Sequence, residues 1–200
     1  MGAISISEGN IKMGGIKSVS LPAVATCIKC ECNAKCYANK IEKRWKNVRE
    51  AYERNLNVLV SNQDAYWREV EAAIMTSRFF RFHVSGDIPN REYLNKMIEV
   101  ANRNGHCEIL CFTKKYDFVN DYLREGNAIP ENLHMVLSGW RGLEMENPFN
   151  LPEAHVRYRD GSTTAREDAV ECGGNCTECA TTDAGCWVLK NGEQVVFNEH

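Results

Sequence analysis

The stretch that decides the fold reads FFRFHVSGD and spans residues 79–87. Its aromatic opening favours a β-strand, and the closing Ser-Gly-Asp favours a turn that ends the strand. Side chains alternate along a strand, so one face is apolar and the other carries Arg81, His83 and Ser85. Strands inside a parallel sheet are usually apolar on both faces, so this polar face predicts a lined cavity beside the sheet.

Two similar segments follow, at 107–112 and 133–137, and each predicts another strand. Helices are predicted between the strands, over 90–105 and 117–125, because Asn90 and the following glycines fit helix ends. Strand–helix–strand–helix–strand with short connections predicts parallel strands joined by right-handed crossovers. A fourth strand is predicted at 154–158.

Helices are also predicted before this core, over 37–59 and from Ser61 through 62–76. The charged residues of 37–59, Glu42 included, predict a solvated face. Asn191-Gly192 between two apolar runs predicts a C-terminal β-hairpin. The predicted fold class is therefore α/β, a single domain over 1–200 with a parallel βαβαβ core that is partial and barrel-like, flanked by cysteine-rich N- and C-terminal segments.

Cysteine content is the largest departure from ordinary composition. The chain has 200 residues, 10 cysteines and a formal net charge of −3. No apolar stretch approaches the ~18 to 20 residues that span a bilayer, and the first residues do not resemble a secretory signal. We therefore expect no membrane partner and a cytosolic location, where thiols stay reduced and clustered cysteines are ligands or catalysts rather than disulfides.

The cysteines form two groups of four, each on a short loop that contains lysine or glycine. The groups are Cys27, Cys30, Cys32 and Cys36 near the start, and Cys172, Cys176, Cys179 and Cys186 near the end. Four thiolates that converge from a loop suit an iron–sulfur cluster, and [4Fe-4S] is the predicted form. Zinc is the alternative, although it usually takes two C-x2-C pairs and the second group holds one.

The remaining cysteines, Cys107 and Cys111, lie on one predicted strand. Residues four apart on a strand share a face but are separated by about 13 Å at ~3.3 Å per residue. The two thiols are too far apart for one metal ion, and we predict that both are buried core residues.

Polar side chains mark the predicted carboxyl ends of the strands, which is where parallel α/β folds bind ligands. The candidate pocket residues are His83, Ser85, Asp87, Lys114 and Trp140. A purely structural interpretation also exists, in which His83 is a core residue, Asp87 caps a helix and Lys114 is solvated.

Short motifs over 21–187 resemble, in order, the phage gene product 88 family. They are Leu21-Pro22-Ala23, Thr26-Cys27, Cys32, Cys36-Tyr37-Ala38, Phe82-His83-x-Ser85-Gly86-Asp87, Phe112-Thr113-Lys114, Asn132-Leu133 with Ser138-x-Trp140, and Cys186-Trp187. The resemblance implies a bacteriophage-encoded protein. The Cys36-Tyr37-Ala38 motif and the Ser85-Gly86-Asp87 motif are also distantly similar to radical-SAM motifs. This similarity implies that Ser85, Gly86 and Asp87 bind the amino group of S-adenosylmethionine.

Two functional hypotheses follow. The first is a phage iron–sulfur protein with a polar pocket at the strand ends and a redox or radical-SAM-like activity, served by a host redox partner. The second is a non-enzymatic module, carrying zinc or a cluster, that binds a host protein or nucleic acid. The net charge of −3 argues against nucleic acid as the main partner, since such proteins usually have a basic excess.

Overall fold

The computed structural model describes residues 3–29 and 32–199. Its elements alternate between strands and helices after a short opening segment. The strands are β1 (Ile6–Ser7), β2 (Lys17–Val19), β3 (Phe79–Phe82), β4 (Glu108–Thr113), β5 (Leu133–Ser138), β6 (Glu153–Arg157), β7 (Val170–Glu171) and β8 (Gln194–Asn198). The helices are α1 (Ala23–Thr26), α2 (Cys32–Lys35), α3 (Tyr37–Arg44), α4 (Lys46–Ser61), α5 (Gln63–Met75), α6 (Arg91–Arg103), α7 (Tyr116–Arg124) and α8 (Cys176–Thr181), with a 3-10 helix at Gly185–Trp187.

All the strands belong to one sheet with the order β1-β2-β3-β4-β5-β6-β8-β7. Only the β1–β2 pair is antiparallel within the described ranges, and the other neighbours run parallel. From β2 to β6 the strands follow one another in chain order, as they do in a barrel, so right-handed crossovers place their helices on the same face. The predicted α/β class with a parallel, partial barrel-like core is confirmed.

The crossover helices cover one face of the sheet and form the larger apolar core. Phe80 and Phe82 of β3 contribute to it, together with Ile109 and Cys111 of β4. Tyr66 of α5 is among the fully buried side chains that α5 and α6 add.

The alternation predicted for β3 holds within the strand, where Phe80 and Phe82 face the helices. It fails directly after the strand: His83, expected on the polar face with Arg81, lies against Tyr93 on the helix-covered side because its φ of +60° reverses the direction of its side chain. Val84 correspondingly packs on the opposite face.

The C-terminal segment covers the opposite face and forms a second, smaller core. Leu110, Val136 and Val195 project from the strands into this core, where they meet Ala180 of α8 and Trp187. The ring of Trp187 stands edge-on to Phe79 with 5.3 Å between centroids. The crossover helices and the C-terminal segment therefore bury opposite faces of the same sheet.

Two predicted helix boundaries differ from the structure. The helix expected over 37–59 is divided into α3 and α4 at Trp45, whose φ of −116° and ψ of 101° are extended. The next helix begins after Asn62 rather than at Ser61, because the Asn62 side chain accepts a hydrogen bond from the Ala65 amide at 3.0 Å. An asparagine cap of this kind satisfies an amide that the first helical turn leaves unpaired.

The predicted C-terminal hairpin needs a correction in its pairing. The chain turns at Asn191-Gly192 and enters β8, and β7 and β8 do form a C-terminal strand pair. However, β7 and β8 run parallel, so this turn does not join them. The segment expected as the first arm instead contains the 3-10 helix Gly185–Trp187, because burial of Trp187 against Phe79 takes it out of the sheet.

Gly86 provides a test of how β3 is joined to the opening segment. Its φ is +84°, and a Cβ atom there would lie 2.6 Å from the Leu21 carbonyl oxygen and 2.7 Å from Thr26 Oγ1. We expect Gly86→Ala to lower the free energy of unfolding by more than the about 1–2 kcal/mol that left-handed backbone alone costs. Chemical denaturation measures this.

The matched control for that substitution is Gly126→Ala. Gly126 has a φ of +83° and nothing within 4 Å of the added Cβ, so it reports the backbone cost alone. Equal losses of stability in the two variants would contradict the close approach of Gly86 to Leu21.

Candidate functional site

His83 sits at the carboxyl end of β3 in a strained backbone conformation, with a φ of +60°. Its Nε2 lies 3.1 Å from the Tyr93 hydroxyl, which in turn lies 2.7 Å from the Tyr66 hydroxyl. Its Nδ1 is buried and has no hydrogen-bond partner among the described residues. Burial, reinforced by the positive charge of Arg81, lowers the pKa of His83 to about 3, so the imidazole is neutral at physiological pH.

Asp87 joins three parts of the fold through its buried carboxylate and its backbone amide. It accepts hydrogen bonds from the Thr113 hydroxyl at 2.6 Å and the Lys114 amide at 2.9 Å, both at the end of β4. Its own amide donates to Thr26 Oγ1 at 3.0 Å. Burial raises the pKa of the Asp87 carboxyl, and these hydrogen bonds oppose that rise. The predicted site residue therefore fixes the loop that leads into Cys27.

Glu42 was expected on a solvated face, and that expectation is wrong. The residue is 7% exposed. Its carboxylate accepts from the Ser85 hydroxyl at 2.6 Å and from the Ala23 amide at 3.1 Å. The charge pattern of the helix did not reveal this, because the partners of Glu42 come from distant loops. Ser85, another predicted site residue, is thereby tied to α3.

Cys27, the first of the N-terminal cysteines, lies near the carboxyl ends of β3 and β4, within electrostatic reach of Asp87 and Lys114. Cys27 and Cys36 are free thiols. Burial raises the pKa of Cys27 to about 12, with Asp87 and Cys36 raising it and Lys114 opposing. Cys32 is disulfide-bonded, in contrast to the reduced state expected from the sequence, and Cys30 lies outside the described residues.

Lys114, another predicted pocket residue, reaches along the same edge. Its ammonium group lies 3.4 Å from Ser138 Oγ at the end of β5. The Tyr116 hydroxyl donates to the Ser138 carbonyl at 2.5 Å. Lys114 thus places a positive charge between the ends of neighbouring strands and close to Cys27.

The C-terminal thiol group, defined as Cys172, Cys176, Cys179 and Cys186, is gathered on the face opposite the crossover helices. Each member is a free, partly buried cysteine packed against the smaller core. Burial raises the pKa of Cys186 to about 12, and the other thiols of the group raise it while Arg81 opposes. The pKa of Cys179 is raised by burial and then by Cys172 and Cys176. Cys172 and Cys176 therefore lie close enough to Cys179 and Cys186 to raise the pKa of both.

Hydrogen bonds hold α8 and its cysteines against the opening segment of the chain. The Cys176 amide donates to the Lys12 carbonyl at 2.9 Å, and the Thr177 hydroxyl donates to the Met13 carbonyl at 2.7 Å. These bonds span more than 160 residues of sequence, as the Thr177–Met13 separation of 164 shows. The position of the thiol group therefore depends on both ends of the sequence.

Tyr37 lies between the two cysteine groups. Its hydroxyl donates to the Val84 carbonyl at the end of β3. Burial raises the pKa of the Tyr37 phenol, and the nearby thiols of Cys36 and Cys176 raise it further. Cys36 of the first group and Cys176 of the second thus lie close to the same tyrosine.

Trp140 lines a pocket that none of the other predicted pocket residues lines. This pocket has a volume of about 410 Å³, and Gly139, Met145 and His155 also line it. His155 Nε2 lies 2.9 Å from a Glu153 carboxylate oxygen. Sequence reasoning missed His155 and Glu153, although a histidine in the fourth predicted strand was a usable signal.

Cys107 and Cys111 are buried on the helix-covered face and take part in the larger core. The prediction that they are core thiols is confirmed. Within residues 3–29 and 32–199, no three or more His, Cys, Asp or Glu side chains are arranged to hold a single metal ion. Within the same ranges, no helix combines the length and apolar character needed to cross a bilayer.

Comparison with known families adds one finding. The family model described as Gene product 88 matches residues 5–189. Neither a curated protein nor a solved structure matches the chain significantly. The matched range contains all the pocket candidates and both cysteine groups.

The neutral His83 makes stability depend on pH. An unfolded chain protonates this residue below about 6.5, whereas the folded chain resists protonation down to about 3. The unfolded state therefore binds more protons in that window, and the free energy of unfolding falls as pH falls through it, by up to about 1.4 kcal/mol per pH unit. We expect His83→Asn, whose side chain tolerates positive φ, to flatten this dependence in denaturation curves between pH 7.5 and 4.

The same substitution at the exposed His106 is the control and should keep the wild-type dependence. An unchanged slope in His83→Asn would contradict the assignment of the acid sensitivity to His83.

Proposed function

The chain belongs to the Gene product 88 family of phage proteins, and from that premise we propose that it binds an iron–sulfur cluster, of the [4Fe-4S] type, through the C-terminal thiol group. We propose that the bound cluster serves electron transfer with a host redox partner in the host cytosol. One-electron transfer is the chemistry such a cluster supplies, with no bond formed or broken.

The carrying observation is the gathering of Cys172, Cys176, Cys179 and Cys186 as free thiols in one partly buried group. Four cysteine thiolates are the usual ligand set of a [4Fe-4S] cluster. A zinc ion needs four ligands about 2.3 Å from one centre, whereas a cluster takes each thiolate at a separate iron atom. The four cysteines come from the end of β7, from α8 and from the 3-10 helix. Ligands from such different elements can each bind a separate iron atom of a cluster.

The surroundings of the group also fit a cluster. Trp187 follows Cys186 in the sequence, and its ring packs on Phe79. Apolar surface therefore borders the thiols. Gly185 has a φ of +58°, and a Cβ there would lie 3.1 Å from Cys179 Sγ. A glycine at this point leaves the backbone close to sulfur, and backbone amides near sulfur are a recurrent feature of cluster sites.

Full ligation by four cysteines favours electron transfer over an enzyme with an open iron. The radical-SAM-like role of Ser85, Gly86 and Asp87 stays a prediction. Ser85 and Asp87 already bond to Glu42, Thr113 and the Lys114 amide. Metal binding by the N-terminal cysteines also stays a prediction, since Cys32 is disulfide-bonded.

The test is anaerobic purification followed by measurement of iron, acid-labile sulfide, zinc and the visible spectrum. We expect about four iron and four sulfide per chain. Cys176→Ser and Cys179→Ser should each lose most of the iron, because each removes a thiolate ligand. A colourless protein with stoichiometric zinc would contradict the proposal.

Matched controls come from the core thiols. Cys107→Ala and Cys111→Ala remove cysteines from the opposite face of the sheet and should retain the full iron content. Loss of iron in either control would place the cluster elsewhere.

Electron paramagnetic resonance of the reduced protein separates electron transfer from a radical-SAM-like enzyme. We expect the spectrum to stay unchanged when S-adenosylmethionine is added, because no iron is left open. A changed spectrum would overturn the electron-transfer proposal in favour of an enzyme.

A further inference from the structure

We propose that Arg81 is a positioning residue that supplies the counter-charge of the cluster and raises its reduction potential. This inference rests on the proposed function, because it requires a cluster at the C-terminal thiol group. It concerns a residue that the motifs did not single out as a ligand or pocket group.

Arg81 belongs to β3 and lies on the face covered by the C-terminal segment. In the sheet its neighbours in register are Ser18 of β2 and Leu110 of β4. Leu110 belongs to the same smaller core as the thiol group, whereas the adjacent Phe80 and Phe82 belong to the larger core. Alternation along β3 therefore directs Arg81 toward the side that carries the four cysteines.

The guanidinium group of Arg81 is incompletely satisfied. It lies over the Phe112 ring, 5.0 Å from the centroid. Its Nε is buried and has no hydrogen-bond partner among the residues that the structure describes. Within those residues, none of the ion pairs includes Arg81. Arg81 is partly buried, and a partly desolvated cation without a carboxylate partner favours an anion in its surroundings.

A [4Fe-4S] cluster with four thiolates is such an anion, with a net charge of about −2 in the oxidised form. Reduction adds another negative charge. A nearby guanidinium stabilises the more negative state more strongly, so it raises the reduction potential. The unpaired Nε–H is also a donor of the kind that tunes clusters through hydrogen bonds to sulfur.

Arg78, which directly precedes β3, offers a matched control. Its guanidinium lies over the Phe79 ring, 5.1 Å from the centroid, in the same type of contact as Arg81 over Phe112. Arg78 is exposed, so solvent already screens its charge. Removal of either arginine deletes one cation–π contact, but only removal of Arg81 deletes a partly buried charge on the side of the four cysteines.

The experiment compares wild type, Arg81→Met, Arg81→Lys and Arg78→Met after anaerobic reconstitution with iron and sulfide. Iron content, circular dichroism and the midpoint potential from a dye-mediated titration are measured for each. We expect Arg81→Met to have a more negative potential, Arg81→Lys to stay nearer the wild type, and Arg78→Met to match it. Arg81→Gln, which keeps a donor, replaces Arg81→Met if the latter does not fold.

The outcomes are distinct. Wild-type protein without iron would overturn the proposed function and this inference together. Cluster-loaded Arg81→Met with the wild-type potential would overturn only the role of Arg81. Loss of the cluster in Arg81→Met with retention in Arg81→Lys would support the counter-charge role, because the positive charge alone separates the two variants.

Discussion

Parallel strands in chain order are the constraint on which the rest of the structure depends. From β2 to β6 each right-handed crossover moves the chain in the same direction, so the crossover helices all cover one face of the sheet. The other face still has to be buried, and the segment that contains α8 and Trp187 buries it. Four of the cysteines come with that segment, so their gathering beside β3 is a consequence of topology.

The carboxyl edge of the sheet is organised by buried carboxylates more than by open binding groups. Asp87 bonds to Thr113 and Thr26, and Glu42 bonds to Ser85 and Ala23. The Asp87 amide and the Glu42 carboxylate link the end of β3 to the opening segment that carries Cys27, and the Asp87 carboxylate links it to the end of β4. Residues that a motif search would assign to a ligand thus also hold the segment that leads to Cys27.

The sequence was sufficient to predict the parallel core, because hydrophobic periodicity and turn residues act locally. The same local signals could not show the break at Trp45, where the apolar period continues across the boundary between α3 and α4. Nor could they show the burial of Glu42 or the parallel pairing of β8, since the partners of both are distant in sequence. For the candidate site, the spacing of the cysteines along the sequence was enough to predict two groups. The unpaired Nε of Arg81 could not be predicted, because it depends on how β3 packs against the C-terminal segment.

The contact between Thr177 and Met13 has a consequence for the order of folding. Residues 172–187 leave the ribosome after the strands β2 to β6, so during translation one face of a nearly complete sheet has no cover. Contacts between such distant segments form slowly, because a long loop must close first. Closure of the nascent chain over its second face, which also gathers the four C-terminal cysteines, is therefore a late step of biogenesis.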